Sequence, residues 1–165
     1  MRILITGTTG FVGHKLKASY KDAIAASSLR NATQDMVKKI VEESEADVVI
    51  HTAAISDIGT CQKDPQSSYF ANVQIPLYLA AACKDRKLIC FSSDQVYSAC
   101  KEERPYIEEV VKPGNIYAEH KLEMEERVLE LVPSAVMLRA EWMYDYVSPK
   151  PNYFLNVLHA SQQVS

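Results

Sequence analysis

The chain has few glycines, a single tryptophan and no excess of positive charge. Eighteen Lys and Arg stand against 21 Asp and Glu, a net of −3 over 165 residues. A surface of that balance has no basic face to follow a phosphate backbone, so nucleic acid is not an expected partner. Long apolar runs are missing too. The best candidate, around Ile75–Cys83, is interrupted by Pro76 and Tyr78 and falls well short of the ~20 residues that span a bilayer, so no membrane partner is expected. The four cysteines, Cys61, Cys83, Cys90 and Cys100, form no CxxC pair, which argues against zinc and redox-motif patterns. Free thiols in a reducing, cytoplasmic compartment are expected, because Met1 leads straight into a strand-like run. His14, His51, His120 and His159 are scattered, with no HExxH or His–Cys cluster, and no metal is expected.

What is present is an alternation. Short apolar runs at Arg2–Thr6, Ala23–Ser27, Asp47–His51, Lys87–Ser92 and Ala135–Arg139 read as strands. Between them lie helical stretches at Phe11–Tyr20, Gln34–Ser44, Pro65–Lys84 and Ile116–Leu131, with a last one beginning over Asn152–Ala160. Pro76 should kink or divide the third. In Ile116–Leu131 the apolar residues are Leu122, Val128, Leu129 and Leu131, and Glu123 and Arg127 form an i,i+4 pair. The charged stretch Lys101–Pro113 reads as a loop. This order is the signature of βαβ units, hence an α/β fold with a doubly wound parallel sheet, here a single domain over residues 1–165. Ligands bind such sheets at the carboxyl ends of the strands, so the residues just after each strand carry the information.

After the first strand, three of the chain's five glycines fall in seven residues, Gly7-Thr-Thr-Gly10-Phe-Val-Gly13. Gly7 suits a tight turn, Gly10 the approach of a pyrophosphate, and Gly13 close packing of helix on sheet. The helix N-terminus then offers N–H groups and partial positive charge to phosphate, which adds Thr9, Phe11 and Val12 to the candidate cofactor residues. After the second strand a ribose-binding acid is the usual feature. Here the chain reads Ser27-Ser28-Leu29-Arg30. Ser28 and Arg30 could receive a 2′-phosphate, which favours NADPH over NADH.

Three tyrosines have a lysine four residues on: Tyr97/Lys101, Tyr117/Lys121 and Tyr146/Lys150. The third contains Pro149, and the first runs from a strand end into the charged loop. Only Tyr117/Lys121 sits on a strong helix, where i and i+4 share a face. An ammonium ~5 Å from a phenol at an effective dielectric of ~20 is worth roughly 3 kcal/mol. That is enough to pull a tyrosine from about 10 to about 8, a useful proton donor and acceptor near neutrality. A nearby hydroxyl should polarise the same substrate oxygen. Ser93, or alternatively Ser92, is placed for it at the end of the fourth strand.

These motifs carry a resemblance. GxxGxxG near the N-terminus resembles the short-chain dehydrogenase/reductase superfamily, and MRILITGTTGFVG resembles its extended branch. The resemblance implies an NAD(P)-binding Rossmann fold. Phe91-Ser-Ser93-Asp-Gln-Val-Tyr97 is similar to the branch's FSSxxVY pattern, which implies that Ser93, Tyr117 and Lys121 are catalytic. Asn72 matches the family's helix asparagine, which positions the lysine through backbone and water contacts. Thr52-Ala53-Ala54 matches its small-residue segment against the cofactor.

Within the branch, the chain resembles the dTDP-4-dehydrorhamnose reductase-like group. Ser93-Asp94 with Val96, the stretch Pro113–Glu125 and Met137-Leu-Arg139-Ala-Glu-Trp142-Met-Tyr144 match in order and spacing. The resemblance implies a nucleotide-linked 4-keto sugar as substrate, near Ser93, Asp94 and Trp142. It also implies NADP or NAD as cofactor, a homodimer through the third and fourth helical stretches, and a further substrate lobe largely absent here. Gln95 stands where an aromatic residue is usual, and Ala118 where a glycine is. A sugar-nucleotide epimerase or dehydratase, or a regulatory subunit of methionine adenosyltransferase on the same scaffold, would use the same framework.

Overall fold

Every expected strand forms, and each is short. In the computed structural model, which describes residues 1–101, 105–144 and 157, the strands are β1 (Ile3–Thr6), β2 (Ile24–Ala25), β3 (Val48–His51), β4 (Lys87–Ser93) and β5 (Val136–Ala140). They form one parallel sheet in the order β2-β1-β3-β4-β5. This is a doubly wound order whose direction reverses between β1 and β3. The connection from β1 runs one way to β2, and every later connection runs the other way. Crossovers of one hand therefore put the first helix on one face and the others opposite.

The helices follow that rule. α1 (Phe11–Ser19) lies on one face, where Leu16 packs over Ile3, Ile5 and Ile50. On the other face are α2 (Gln34–Ser44), α5 (Ile75–Ala82) and α6 (Ile116–Leu131). They bury Val37, Val41, Leu79, Met124 and Val128 against Leu4, Val49, Leu88 and Cys90. Burial of that many full apolar side chains, each worth about 1.5–3 kcal/mol, is the main stabilising term.

The third helical stretch divides, as expected at Pro76. α4 (Pro65–Tyr69) passes through a π-helical turn (Phe70–Gln74) into α5, with Pro76 in the first turn of α5. Pro76 has no N–H to donate to the carbonyl four residues back, and its ring crowds that carbonyl. The chain widens there by one residue, and Asn72 lies in the bulge. A six-residue helix, α3 (Ile58–Lys63), was not expected. Its signal was present: Asp57 accepts from the Thr60 N–H, as Asp64 does from Ser67 at the start of α4.

α6 has its expected ends, but its buried face is not the apolar set. Leu129 and Leu131 are exposed, while Tyr117, Ala118, Lys121, Met124, Glu125 and Val128 are buried. A buried lysine and a buried glutamate on one helix mark a site rather than a plain core. The expected last helix over Asn152–Ala160 lies outside the described residues except for Val157, and Tyr146/Lys150 lies outside them altogether. No described helix is long and apolar enough to cross a membrane.

Candidate active site

The glycine turn is built by exclusion. Gly7 leaves β1 with φ +74°, a left-handed conformation, and a Cβ there would sit 2.6 Å from the Ala53 nitrogen. At Gly13 a Cβ would sit 2.2 Å from the Gly7 carbonyl oxygen and 2.6 Å from Thr52 Oγ1. Only hydrogen at that position lets α1 settle onto the β1–β3 seam. Gly10 differs: its nearest neighbour to a Cβ is the Gly7 oxygen at 3.3 Å, so its outer side is open. Gly10 also caps α1 with no side-chain hydrogen bond, and no acid occupies the first turn. The first-turn N–H groups of Phe11 and Val12 have no partner within the helix. An uncapped helix end behind an open glycine fits a phosphate.

That turn floors a cleft of about 830 Å³, in the range of small-molecule sites. Gly7, Thr9 and Gly10 line one part of it, Ser28 and Arg30 another, and Thr52, Ala53 and Ala54 a third. Sequence reasoning missed the opposite wall of Gln66, Ser67, Phe70 and Ala71, contributed by α4 and the π-turn. The Asp64-Pro65 helix start was the available signal. Phe11, Val12 and Gly13 are not side-chain walls of the cleft; they stand behind it in α1. Tyr117 and Lys121 are not on its wall either.

Those two residues belong to a second cluster at the carboxyl end of β4. Asn115 caps α6 by accepting from the Ala118 N–H at 2.9 Å. Its Nδ2 donates to Gln95 Oε1 at 3.4 Å, tying the helix start to the turn after β4. Ser93 ends β4 and accepts from the Gln95 N–H at 3.2 Å, while its own hydroxyl donates to Asp94. Ser93 faces Tyr117: burial raises the phenol above its ordinary value, and the Ser93 hydroxyl works in the opposite direction. Ser92 is turned inward, its hydroxyl buried without a hydrogen-bond partner among the described residues.

Lys121 corrects the expectation of a depressed phenol. Its ammonium donates to the Phe91 carbonyl of β4 at 2.5 Å, and it is not among the groups that move Tyr117. Burial lowers Lys121 itself to about 8. The shared face of the helix was right, but a carbonyl at the sheet is a better partner for a buried ammonium than a neutral phenol. Close to Lys121, His51 is also fully buried; burial and the lysine charge push it down to about 3. Its Nδ1 pairs with Thr6 Oγ1 at 2.7 Å, and its Nε2 has no partner among the described residues.

Asn72 holds the backbone beside the cleft. Its Oδ1 accepts from the Ile55 N–H at 3.1 Å and its Nδ2 donates to the Ile55 carbonyl at 2.9 Å, gripping the peptide that follows Ala53-Ala54. Ile55 lines the cleft. The Cys61 thiol donates to the same carbonyl at 3.3 Å and stands close enough to Tyr117 to raise its pKa. Cys61 thus links the cleft to the Tyr117 cluster.

Arg139 is a further residue that sequence reasoning passed over. It makes a bidentate pair with the buried Glu125, at 2.6 Å and 3.0 Å, and donates to the Tyr97 hydroxyl. Its guanidinium is pushed up by that carboxylate. The pair fastens β5 to α6, and Tyr97 is part of it rather than of a second proton-transfer site. Trp142 follows β5 and is 68% exposed. No group of three or more metal-ligating side chains occurs among the described residues.

The family model of the RmlD substrate binding domain matches residues 1–164. The chain belongs to this family. It is 34% identical over 152 residues to dTDP-4-dehydrorhamnose reductase of Mycolicibacterium smegmatis, an alignment covering 87% of the chain and 46% of that protein. With dTDP-4-keto-6-deoxy-D-glucose reductase of Streptomyces niveus the identity is 29%, covering 53% of that protein. The chain thus spans about half the length of the curated relatives it matches. The fold superposes on a dTDP-4-dehydrorhamnose reductase structure from Clostridium acetobutylicum with TM-score 0.87 at 25% identity, covering 99% of this chain and 60% of the other.

Proposed function

We propose that this RmlD-family chain is the cofactor-binding half of an NADPH-dependent reductase acting on a nucleotide-linked 4-keto sugar. The observation that carries the reading is the open glycine cradle at Gly10, with Ser93 at the end of β4 facing Tyr117 of α6. The relatives named as dTDP-4-dehydrorhamnose reductases support that substrate class.

In this reading, the first-turn N–H groups of α1 and Gly10 hold the pyrophosphate, and Ser28 and Arg30 hold the 2′-phosphate. A bound nicotinamide supplies the hydride. Tyr117 is the proton donor. Its raised pKa keeps the phenol protonated at neutral pH, the state a reducing direction requires. Ser93 donates to the substrate oxygen as negative charge builds there. Lys121 lies one turn from Tyr117 on the same face of α6, with its ammonium on the Phe91 carbonyl, and in this reading it holds the cofactor ribose rather than tuning the phenol. Asp94 and Trp142 lie on the sugar side. The partner is a nucleotide sugar, and the stretch from α4 through α5 together with α6 forms a homodimer contact.

Titration of the chain with NADPH and NADH, followed by nicotinamide fluorescence, tests the cofactor assignment. Tighter NADPH binding that falls in Arg30→Ala is expected, and no binding of either would overturn it. Consumption of NADPH with dTDP-4-dehydrorhamnose tests the substrate assignment.

A further inference from the structure

The grip of Asn72 on Ile55 does not end at Asn72. The second Nδ2 hydrogen donates to Ser68 Oγ at 3.2 Å, and Ser68 Oγ lies 2.8 Å from His120 Nδ1. Ser68 is fully buried on α4, and Asn72 nearly so in the π-turn. His120 is partly buried on α6, between Tyr117 and Lys121. Tyr69 packs edge-on against its ring at 5.3 Å. The line therefore runs from the helix that carries Tyr117, through α4 and the π-turn, to the wall of the cofactor cleft.

The direction of each bond is set by chemistry. Ile55 presents one N–H and one carbonyl, so Asn72 must accept at Oδ1 and donate at Nδ2. Ser68 Oγ is then an acceptor for Asn72, and its own hydrogen needs an acceptor. Among the described residues His120 Nδ1 is the one in reach. His120 must therefore carry its proton on Nε2, with Nδ1 bare. Burial favours this neutral form, against the nearby carboxylates of Glu119 and Glu123.

We infer that Ser68 and His120 are positioning residues for the cofactor cleft: they orient the Asn72 amide so that it clamps the Ile55 peptide, and they tie that clamp to α6. The inference rests on the proposed cofactor reading for its functional consequence, but not for the clamp. Removing the Ser68 hydroxyl leaves the second Nδ2 hydrogen only the long contact to Cys61 Sγ at 3.9 Å, a weaker acceptor, and the Asn72 amide is freed to rotate. Removing the His120 acceptor leaves the Ser68 hydroxyl to compete for Asn72 Oδ1.

Amide hydrogen exchange of the whole chain, read at Ile55, tests the clamp without any ligand. Ser68→Ala and His120→Leu should each speed exchange at Ile55 by about fivefold or more, with Leu88 and Ile5 in the sheet unchanged. His120→Asn, whose side-chain oxygen can occupy the Nδ1 position, should restore slow exchange. Nitrogen NMR of the wild-type protein should show Nδ1 of His120 unprotonated. A general packing role would speed exchange throughout, would not be rescued by Asn, and would overturn the inference, as would an Nδ1-protonated ring. NADPH titration forms a separate arm. The same two variants should weaken NADPH roughly three- to tenfold, again with rescue by His120→Asn. Unchanged NADPH affinity beside altered Ile55 exchange would overturn the functional half of the inference. If the wild-type chain binds no NADPH, the cofactor reading fails while the exchange result still decides the clamp.

Discussion

The two halves of the site are made of different material. The cradle after β1 consists of backbone and missing side chains: Gly7, Gly10 and Gly13 act through what they leave empty. The cluster after β4 consists of buried side chains held in particular orientations: Tyr117, Lys121, Asn72 and His51 are all at most 7% exposed. Shape made by absence tolerates changes in pH and charge but not an added methyl group. Orientation made by hydrogen bonds and desolvated charge tolerates small steric change but not a lost partner. The two halves should therefore fail in different ways.

The largest effect is expected in the cradle. Gly13→Val should not fold, because its Cβ would lie 2.2 Å from a carbonyl oxygen. Gly10→Val should fold, since the same atom there has 3.3 Å, yet its branch would occupy the space assigned to phosphate. Circular dichroism and NADPH titration separate the two. A folded Gly13→Val protein, or normal NADPH affinity in folded Gly10→Val, would remove the distinction drawn between these glycines.

The cluster should show its dependence on charge in acid. His51 is lowered to about 3 from its ordinary 6.5 by burial and by Lys121. Between those values the unfolded chain holds a proton on this ring that the folded chain does not. Each pH unit of acidification then favours unfolding by about 1.4 kcal/mol, or about 5 kcal/mol in all by pH 3. Urea unfolding from pH 7 down to pH 4 should show this slope, and His51→Asn should flatten it. A slope unchanged in His51→Asn would move the acid sensitivity to other groups.

Tyr117→Phe comes next in size. It keeps the ring and removes the oxygen, so stability should hold, and NADPH affinity should also hold because the cleft wall does not include Tyr117. Reductase turnover should fall by about 10²–10⁴-fold, about 3–5 kcal/mol. Tyr97→Phe is the control. It removes an acceptor from Arg139 and should cost stability of about 1 kcal/mol with little effect on turnover. Equal loss of turnover from both would sink the choice of Tyr117.

The same contrast explains what was legible in the sequence. The cradle is encoded by spacing, and spacing survives in one dimension. Gly7, Gly10 and Gly13 announced a turn, an open face and a close approach, and the structure has all three. The strands were legible because β1, β3 and β4 are apolar on both faces. Partner choice is not encoded this way. Tyr117 and Lys121 share a helical face, but only the position of the Phe91 carbonyl shows where the ammonium goes. Asn72 stood out, but its reach to Ile55 depends on the widened turn before Pro76. The apolar residues of α6 do not mark its inner stripe: Leu129 and Leu131 are exposed, while Lys121 and Glu125 are buried, and periodicity alone cannot show that.

The smallest effect isolates position from stability. Two helices of the same sheet face are capped by side chains: Thr33 accepts from Met36 at the start of α2, and Asn115 accepts from Ala118 at the start of α6. Thr33→Ala and Asn115→Ala should each cost about 1 kcal/mol of stability, the usual value of a lost cap. Asn115 also donates to Gln95, which donates its backbone N–H to Ser93. Its loss should loosen α6 against the Ser93 turn and so disturb the geometry between Ser93 and Tyr117. Turnover in Asn115→Ala should therefore fall by about tenfold at unchanged NADPH affinity, while Thr33→Ala leaves turnover alone. Asn115→Asp should restore the cap but not the donor to Gln95, recovering stability without full turnover. If Asn115→Ala and Thr33→Ala lose stability equally and neither loses turnover, the ordering of the cluster does not run through Asn115, and the Ser93–Tyr117 geometry is set by β4 alone.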